Sequence, residues 1–513
     1  MGKNKILTFI LTAIIITTVL LTGCGGPADK PETVSQELVI GVGRDFYNGP
    51  ESSNFVHGST GVWESLTYLN ENLEPYPLLA EKLVPKDAGK KWLVYLRPNV
   101  RFHDGTPLNA EAVVQSVMRY KNNLKLDEYG TFLRLEKVEA LGEDRVELSF
   151  SSPEPAFPAK VAYHGCPIFS PASFDNDGKI VSPIGTGPFM YAGHKPGVEL
   201  EIIRNDHYWG DKPRLERVRF KVIPDPFTRL AALQTGEVQA VVDVGGILPE
   251  QAPVIEGDNN LELMSRQVTT SHYLLFNNQK PPFDNLALRQ AVSLFIDRHE
   301  LVNQLLHGYG EPAETVFTSL AQAWTVDGLW KTDREEAVKL AARVKSTGPH
   351  KVIFAVNSAL ANRWPYKSIA EVMQSEFKTL GLDVELQVLE SGAWTEALKN
   401  GDYNLALTPY TLMTGDPDFF FGRWIYSQGQ INKRRGIGYS NPEADRLIED
   451  AGAEGDGSLR QIYYAGLQEL VARDVPLCPL FHDVCLYATK KEVRDLTIDP
   501  FFKPSLDKAW VEQ

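Results

Sequence analysis

The chain has 513 residues, a length that predicts two or three domains instead of one compact core. Hydrophobic residues make up 43% of the chain and charged residues 23%, which is the composition of an ordinary globular protein. The formal net charge of −14 argues against a nucleic-acid partner and provides no basic patch for anionic lipid.

The first 23 residues differ from the rest of the chain. Lys3 and Lys5 precede an uncharged run over residues 6–21, and Leu-Thr-Gly-Cys at 21–24 closes that run. The apolar stretch is short for a membrane span and small residues follow at once, which is typical of a cleavable signal peptide. An uncleaved N-terminal anchor is the alternative, and both interpretations put the folded part outside the cell. Residues 24–36, rich in Gly, Pro, Asp and Glu, are predicted to be a flexible tether.

Apolar residues alternate with polar ones in the first part of the mature chain. This pattern predicts strands at 38–42 and 92–96 and a hairpin over 138–150. Asn109 is predicted to cap a helix that runs from residue 110 to about residue 121. His103 and Asp104 precede that helix, and because no catalytic partner is evident, we interpret them as part of a turn.

Residues 182–242 form a strand, loop, strand, helix, strand module. Gly185, Gly187 and Pro188 predict a sharp turn before a strand that starts with the alternating run 198–202. A second strand is predicted at 218–222, then a short helix and a third strand at 239–242. The glycines precede a strand and not a helix N-terminus, so the pattern argues against a phosphate-binding loop.

Strands and helices alternate in the second half of the chain. A strand is predicted to end at Asn277, and Asn285 and Asp297 are predicted to start helices. Further helices are predicted at 335–344, 366–380, 442–451 and 457–473, and further strands at 351–356, 384–388, 403–407 and 480–486. The strand-helix-strand order predicts an α/β architecture for this half.

Several of these motifs together resemble the bacterial extracellular solute-binding proteins, family 5, which serve ABC importers of peptides and nickel. Gly-Thr-Gly-Pro-Phe at 185–189, Tyr-Trp-Gly at 208–210 and Thr-Arg-Leu-Ala-Ala-Leu-Gln-Thr-Gly-Glu at 228–237 occur in the family's order. The resemblance extends from about residue 37 to the C-terminus, and it is specific for the family but not for the ligand.

The resemblance implies a two-lobed α/β fold of the periplasmic-binding-protein type (type II, large cluster with an extra subdomain), with mixed sheets and a hinged cleft. It divides the chain into a lipoprotein signal peptide (1–23), the tether (24–36), lobe I with the extra subdomain (37–276), lobe II (277–475) and a return to lobe I (476–513). It implies that Cys24 carries a lipid anchor on the outer face of the cell membrane. ABC permease and ATPase subunits are the implied partners, and we expect a monomer without a cofactor.

Tyr410 and Met413 distinguish this chain from peptide-binding relatives. Those relatives have Trp-x-x-Asp just before Gly-Asp-Pro-Asp, and the aspartate holds the α-ammonium of the peptide; here Tyr410 and Met413 take these positions before Gly-Asp-Pro-Asp at 415–418. A thioether cannot replace a charge-assisted hydrogen bond of roughly 1.5–3 kcal/mol. This departure weakens the peptide hypothesis.

Arg423, Trp424, Arg434 and Arg435 favour a carboxylate-bearing metal chelate, the ligand of the nickel-binding relatives. The planar guanidinium fork of arginine binds a carboxylate in a bidentate manner. His57 is a candidate to fill an open coordination position on a chelated metal. The alternatives are that residues 433–435 form a solvated loop and that His57 is merely exposed. We therefore predict a nickel or other transition-metal chelate as ligand, with an oligopeptide or dipeptide as the alternative.

Other protein classes remain open at this stage. The chain contains no Gly-x-Ser-x-Gly, no His-Glu-x-x-His and no paired Cys-x-x-Cys, so we predict that it is not an enzyme, with an uncharacterised hydrolase or a sensory lipoprotein as rival hypotheses. After lipidation of Cys24, three cysteines remain, enough for at most one disulfide: Cys166, Cys478 and Cys485. We interpret them as buried small hydrophobic residues and not as zinc ligands.

Overall fold

The structure is a computed structural model that describes residues 36–47, 60–123, 126–127, 130–162, 165–344 and 348–512. Of the residues predicted to be functional, His57 and Cys24 lie outside these ranges. Residues 36–513 form one compact unit. No helix in the described ranges has the length and apolar character needed to span a membrane.

Short strands dominate the first half of the chain, and helices become frequent in the second half. The strands are β1 (Glu37–Val42), β2 (Thr67–Leu69), β3 (Pro75–Pro77), β4 (Ala80–Lys86), β5 (Lys91–Leu96), β6 (Leu135–Ala140), β7 (Arg145–Phe150), β8 (Phe189–Lys195), β9 (Glu199–Arg204), β10 (Arg217–Val222), β11 (Ala240–Val241), β12 (Leu261–Phe276), β13 (Gly310–Pro312), β14 (His350–Asn357), β15 (Leu382–Leu389), β16 (Leu405–Thr411), β17 (Leu477–Lys490), β18 (Val493–Arg494) and β19 (Trp510–Val511).

The α-helices are α1 (Ala110–Asn122), α2 (Phe157–Lys160), α3 (Pro226–Thr235), α4 (Ala252–Glu256), α5 (Leu286–Phe295), α6 (Arg298–Leu305), α7 (Arg334–Ala342), α8 (Ser358–Ala361), α9 (Tyr366–Glu376), α10 (Ser391–Asn400), α11 (Asp418–Phe420), α12 (Gln430–Arg434), α13 (Pro442–Ala453) and α14 (Gly457–Asp474). Short 3₁₀ segments cover Asp87–Gly89, Pro171–Ser173, Pro249–Gln251, Ser319–Trp324 and Phe377–Leu380, and Phe421–Ile425 is a π-helical turn.

Side-chain caps explain why several helices begin where the sequence predicts. The side chain of Asn109 accepts a hydrogen bond from the backbone N–H of Ala112 (3.0 Å) at the start of α1. The Asn285 side chain caps α5 and the Asp297 side chain caps α6 in the same manner. These caps satisfy backbone donors that have no partner inside the helix.

One mixed sheet runs through the molecule in the order β15-β14-β16-β12-β17-β11-β1-β10-β9-β8, with β13 added on β17. Two long antiparallel strands, β12 and β17, lie at its middle and pair from Leu261 with Lys490 to Leu275 with Leu477. The chain between them supplies β14, β15 and β16 on one side, whereas β11, β1, β10, β9 and β8 lie on the other side. The architecture is the two-lobed α/β fold with mixed sheets, and β12 and β17 connect the lobes.

A smaller antiparallel sheet, β4-β5-β7-β6, stands apart from the large one in the first part of the chain. Its β6–β7 hairpin is the one predicted over residues 138–150. This sheet lies within residues 37–276, the range for which the resemblance implies an extra subdomain, and its assignment to that subdomain stays a prediction. The limits of the lobes at residues 276/277 and 475/476 stay predictions, although β12 ends at Phe276 and β17 begins at Leu477.

Two strands differ from the sequence prediction. β8 precedes β9 as an antiparallel hairpin partner, where only a turn was predicted, because β8 lies at the sheet edge and lacks a clean apolar alternation. β16 spans Leu405–Thr411 and so extends four residues beyond the strand predicted at 403–407. It is buried on both sides and contains Pro409, so period-two alternation does not reveal it.

Candidate ligand-binding cleft

Glu64 forms hydrogen bonds with both the Gly-Thr-Gly-Pro motif and the Tyr-Trp-Gly motif. This buried carboxylate accepts hydrogen bonds from Thr186 Oγ1 (2.9 Å), Tyr208 OH (2.7 Å) and Trp209 Nε1 (2.9 Å). Burial raises the pKa of Glu64, and the three donors oppose that rise. The Gly-Thr-Gly-Pro and Tyr-Trp-Gly motifs are therefore scaffold elements that share one carboxylate.

Gly185 must be glycine because the chain passes directly over another backbone segment. A Cβ atom at Gly185 would lie 2.2 Å from the carbonyl oxygen of Val62 and 2.2 Å from Cδ1 of Trp63. His103 holds the same loop: its Nδ1 accepts the N–H of Gly185 (3.3 Å) and its Nε2 contacts the carbonyl oxygen of Gly187 (3.0 Å). The predicted turn role of His103 thus extends to fixing the glycine loop.

Six residues predicted to bind ligand line one cavity of about 230 Å³. The structure brings together residues from the end of β16, the loop after it and the helical segments that follow. They are Tyr410, Met413, Arg423, Trp424, Arg434 and Arg435. The seventh, His57, lies outside the described residues.

Both lobes contribute to this cavity. Arg44, Val244 and Phe502 come from the chain outside the β12–β17 pair, and Arg363 and Trp364 come from the chain between these strands. The cavity therefore lies between the parts of the chain that are predicted to form lobe I and lobe II, where a ligand would contact both. Sequence reasoning missed all five of these residues, since they lie far from the motif that was used to find the site.

Aromatic rings form one wall of the cavity. Tyr410 stacks with Phe419 (centroids 6.0 Å apart) and meets Trp424 edge-on (5.6 Å). The guanidinium of Arg435 lies over Trp424, 4.7 Å from the ring centroid, and that of Arg423 lies over Phe419 at 4.9 Å. Stacking of this kind holds the arginine side chains in place.

Arg435 is partly buried, in contrast to the solvated-loop alternative. Its Nη1 donates a short hydrogen bond to Thr408 Oγ1. Burial lowers the pKa of Arg435 to about 10, and the positive charges of Arg434 and Arg423 add to the effect. Arg434, at the end of α12, is exposed but also lines the cavity. Lys433 is exposed and fits the solvated-loop interpretation.

Arg363 lines the cavity, although the sequence analysis did not single it out. Its Nε and Nη2 donate to the carbonyl oxygen of Val244 (3.2 and 3.0 Å), which is a contact from one lobe to the other. Burial and repulsion from Arg44 together lower the pKa of Arg363 to about 10. The local signal is Arg-Trp-Pro at 363–365, an arginine beside an aromatic residue before a helix, which is a weak pattern on its own.

Carboxylates near Arg363 have other partners. Asp243 accepts two hydrogen bonds from Arg44 (3.2 and 2.9 Å), and Asp483 accepts one from Trp364 Nε1 (3.1 Å). Burial would raise the pKa of Asp243, but the positive charges of Arg44 and Arg363 hold it below its ordinary value. No Asp or Glu of the described ranges lines the cavity, so its surface is cationic.

A buried ion pair joins the lobes beside the cavity. Lys160 Nζ lies 2.7 Å from Asp418 Oδ2 and 2.9 Å from Glu154 Oε2. Lys160 belongs to α2, and Asp418 belongs to α11 in the other lobe. Burial opposes the charge on Lys160, but Asp418 and Glu154 raise its pKa above the ordinary value. In this structure the ion pair therefore bridges residue 160 and residue 418, which the sequence analysis assigns to different lobes.

The prediction that the three cysteines are buried is confirmed. Cys166, Cys478 and Cys485 are free and buried. Burial raises the pKa of Cys166 and of Cys485, which keeps both thiols protonated. No cluster of His, Cys, Asp and Glu suited to a metal ion occurs among the described residues.

Comparison with known proteins agrees with this geometry. A family model described as bacterial extracellular solute-binding proteins, family 5 Middle, matches residues 74–432. The chain is 27% identical over 435 residues to the probable D,D-dipeptide-binding periplasmic protein DdpA of Escherichia coli (strain K12), covering 83% of this chain and 82% of the relative. It is 25% identical over 488 residues to the glutathione-binding protein GsiB of Pectobacterium atrosepticum, covering 92% and 93%.

The fold has counterparts among solved structures. NikA from Staphylococcus aureus in complex with Ni(L-His)2 superposes with a TM-score of 0.80 at 21% identity, covering 93% of this chain and 100% of that protein. The matched family region spans more than half of the chain and contains the glycine loop, the strands of the 182–242 module and most of the cavity wall. The chain therefore belongs to the bacterial extracellular solute-binding proteins of family 5.

Proposed function

We propose that this protein captures a small transition-metal chelate, with nickel as the favoured metal, and delivers it to an ABC permease. The observation that carries the proposal is the set of five arginines around one cavity with no carboxylate in its described lining. Like charges in a partly buried site repel one another, and a ligand with two or more carboxylates relieves that repulsion. Arginine suits this ligand because its fork accepts a carboxylate in a bidentate manner.

Met413 supports a ligand whose binding does not depend on an ammonium group. Its thioether lines the cavity where peptide-binding relatives have a carboxylate. An ammonium group buried here would lack a charged acceptor among the described residues, which costs free energy. A metal chelate avoids this penalty, since its nitrogen atoms are bound to the metal.

The metal itself would be held through its chelator. The carboxylates would bind Arg363 and Arg435, and the aromatic wall of Tyr410 and Trp424 would pack against the chelate. His57 stays our candidate for an open coordination position on the metal. The fold likeness to NikA in complex with Ni(L-His)2 is compatible with this ligand but does not separate it from a dipeptide, because a dipeptide-binding protein in complex with Met-Leu superposes equally well (TM-score 0.81).

The alternative is a small peptide. The curated relatives are a probable D,D-dipeptide-binding protein and a glutathione-binding protein, and both are described as binding proteins, not as enzymes. Glutathione carries two carboxylates and one ammonium group, so the arginines could bind its two ends. A cavity of about 230 Å³ lies below the roughly 300–1,000 Å³ typical of ligand sites, which favours a dipeptide or tripeptide over a longer chain.

Transport requires the protein to remain near the membrane. We propose that Cys24 is lipidated after removal of residues 1–23 and that the folded part lies outside the cytoplasm, as in the periplasmic relatives. Docking on permease and ATPase subunits follows from the family. Cys24→Ala should abolish labelling of the protein by radioactive palmitate in cells, and unchanged labelling would contradict the anchor.

The test of the ligand is thermal unfolding of the protein without residues 1–24. Ni²⁺ with L-histidine, each component alone, glutathione and a dipeptide library are compared. A specific ligand at a hundredfold excess over its Kd adds about 2.7 kcal/mol to the free energy of unfolding. A rise in Tm only with metal and L-histidine together supports the chelate. A rise with glutathione or dipeptides alone would overturn the chelate in favour of the peptide alternative.

A further inference from the structure

A second, larger cavity adjoins the arginine-lined one. It has a volume of about 580 Å³ and lies between residues 61–78 and the C-terminal segment 497–508. Met413 is the one residue, among those that the structure describes, that lines both cavities. A side chain with two cavities at its surface is in a position to separate them.

The linings of the two cavities differ in charge, although two carboxylates of the second cavity already accept hydrogen bonds: Glu64 from Thr186, Tyr208 and Trp209, and Asp499 from Tyr68. Five carboxylates line the second one, against two lysines: Glu64, Glu71, Asp211, Asp499 and Asp507, against Lys503 and Lys508. Phenol rings add to its surface, since Tyr68 and Tyr208 also line it. Such a lining favours a cationic or neutral polar group, whereas the arginine-lined cavity favours an anionic one.

The backbone around Met413 is fixed, so its side chain is the adaptable part of the wall. The Met413 N–H donates to the carbonyl oxygen of Thr411 (2.9 Å). The turn that follows is held by Thr414 Oγ1, which donates to the carbonyl oxygen of Asp416 (3.2 Å), and Arg460 binds the Asp416 carboxylate with two hydrogen bonds (2.8 and 2.9 Å). Met413 is 4% exposed. Methionine is unbranched and flexible, so it fills such a gap without a rigid shape.

We propose that Met413 is a partition that determines ligand specificity by closing the arginine-lined cavity on the side of the second cavity. The inference rests on the proposed function of the arginine-lined cavity. With Met413 in place, the ligand is confined to the smaller space. When the side chain is shortened, the two spaces join, and a ligand with an anionic head and a cationic arm fits both.

The test uses two chelates that differ only in such an arm. Nitrilotriacetate and Nα,Nα-bis(carboxymethyl)-L-lysine present the same carboxylate head to Ni²⁺, and the second adds a four-carbon ammonium arm. Kd values are measured by titration calorimetry for wild type, Met413→Ala and Met413→Leu. Met413→Leu is the matched control because it conserves volume. Thermal unfolding of each variant verifies that it is folded.

The expected result is a change in preference. Wild type and Met413→Leu should bind the chelate without the arm at least tenfold more tightly, and Met413→Ala should bind both equally or prefer the chelate with the arm. An unchanged ratio in folded Met413→Ala would overturn the inference. If neither chelate binds wild type, the chelate proposal fails, and the same ratio is measured with glycyl-glutamate and its lysine-extended tripeptide Gly-Glu-Lys.

A measurement without ligand tests the separation of the two cavities by Met413 directly, whatever the ligand is. A crystal structure of Met413→Ala should contain one continuous space in place of two. A structure in which neighbouring side chains fill the gap and keep the cavities apart would overturn the partition, whatever ligand the protein binds.

Discussion

Arg363 connects ligand binding to closure of the cleft. It lines the cavity and donates two hydrogen bonds to the carbonyl oxygen of Val244 in the other lobe. The lobes also meet closely here, since a Cβ on Gly245 would lie 2.6 Å from the carbonyl oxygen of Arg363. A ligand carboxylate bound by Arg363 would therefore stabilise the arrangement in which Arg363 contacts Val244 and Gly245.

Arg363→Gln should weaken ligand binding by about tenfold to a hundredfold. The substitution removes a charge-assisted pair of hydrogen bonds, which contributes roughly 1.5–3 kcal/mol. Calorimetric Kd values for the ligand that raises Tm check this. Arg446→Gln is the control, because Arg446 is exposed and pairs with Asp450 on the same helix (2.8 Å). Equal Kd values for wild type and Arg363→Gln would exclude Arg363 from the site.

His103 makes the stability of the folded protein depend on pH. Burial lowers the pKa of His103 to about 4, against about 6.5 in the unfolded chain. Because the unfolded state binds the proton more readily, the contribution is fully present above pH 6.5 and is lost as pH falls toward 4. We expect the free energy of unfolding in urea to fall across this window by up to about 3 kcal/mol from this residue.

His103→Gln should reduce the slope of stability between pH 6.5 and pH 4. Glutamine does not titrate, yet it can still accept one hydrogen bond and donate another in the glycine loop. Urea unfolding at pH 4.5, 5.5 and 7 measures the slope. His482, whose pKa burial lowers to about 3, contributes a slope of the same sign that the variant keeps. A variant with the wild-type slope would show that His103 is not the titrating group.

At the scale of single residues, the sequence predicted which residues of segment 410–435 lie together, but not which residues of other segments they meet. Tyr410, Met413, Arg423, Trp424, Arg434 and Arg435 were chosen near one motif, and all six line one cavity. Their role in binding stays a prediction. Arg363 and Arg44 could not be chosen in this way, because no spacing along the chain relates them to residues 410–435.

The glycine loop at 185–187 packs directly against the backbone of residues 61–63, which is possible because Gly185 and Gly187 have no side chains. Gly185 lies against the Val62 carbonyl oxygen, and a Cβ on Gly187 would lie 2.1 Å from the carbonyl oxygen of Gly61. Backbone groups cannot move aside as a flexible side chain can. The close approach of the glycine loop to residues 61–63 therefore requires glycine at positions 185 and 187.

Gly185→Ala should destabilise the protein by about 3 kcal/mol or more, because the added methyl forces apart two backbone segments and Trp63. Urea unfolding measures the change in the free energy of unfolding. Gly392→Ala is the control: Gly392 is exposed in α10 with open space around its Cβ position, and alanine favours a helix. Similar stabilities for the two variants would contradict the packing argument.

At the scale of elements, capping residues predicted where helices start, and apolar alternation predicted where most strands lie. Asn109, Asn285 and Asp297 each cap the helix that the sequence assigned to them. β8 and the end of β16 were missed because one is an edge strand and the other is buried on both sides. Neither strand has the one-sided burial that produces a period of two.

At the scale of the whole molecule, the ion pair of Lys160 with Asp418 favours the closed cleft. Asp418→Asn removes the contact between the lobes but leaves Lys160 paired with Glu154 (2.9 Å). Because Glu154 keeps the lysine satisfied, the lobe that carries α2 should remain folded. The substitution therefore acts on closure more than on folding.

Asp418→Asn should weaken ligand binding by about tenfold, since charge-assisted contacts contribute roughly 1.5–3 kcal/mol. The Tm of the free protein should change little, because Lys160 stays paired with Glu154. Small-angle X-ray scattering with saturating ligand should give a larger radius of gyration for the variant than for wild type. Asp450→Asn is the control, since its partner Arg446 lies in the same exposed helix. Identical affinity and scattering would mean that the ion pair does not bias closure.

The sequence by itself determined the family, the α/β alternation and the segment in which half of the cavity wall lies. These features depend on local periodicity, on caps and on motifs that are continuous in the chain. The tertiary structure alone decided that Arg44, Arg363 and Phe502 face residues 410–435, that Arg435 is partly buried, and that Met413 lies between two cavities. The physical reason is that β12 and β17 bring distant segments side by side, and no spacing along the chain records which side chains then meet.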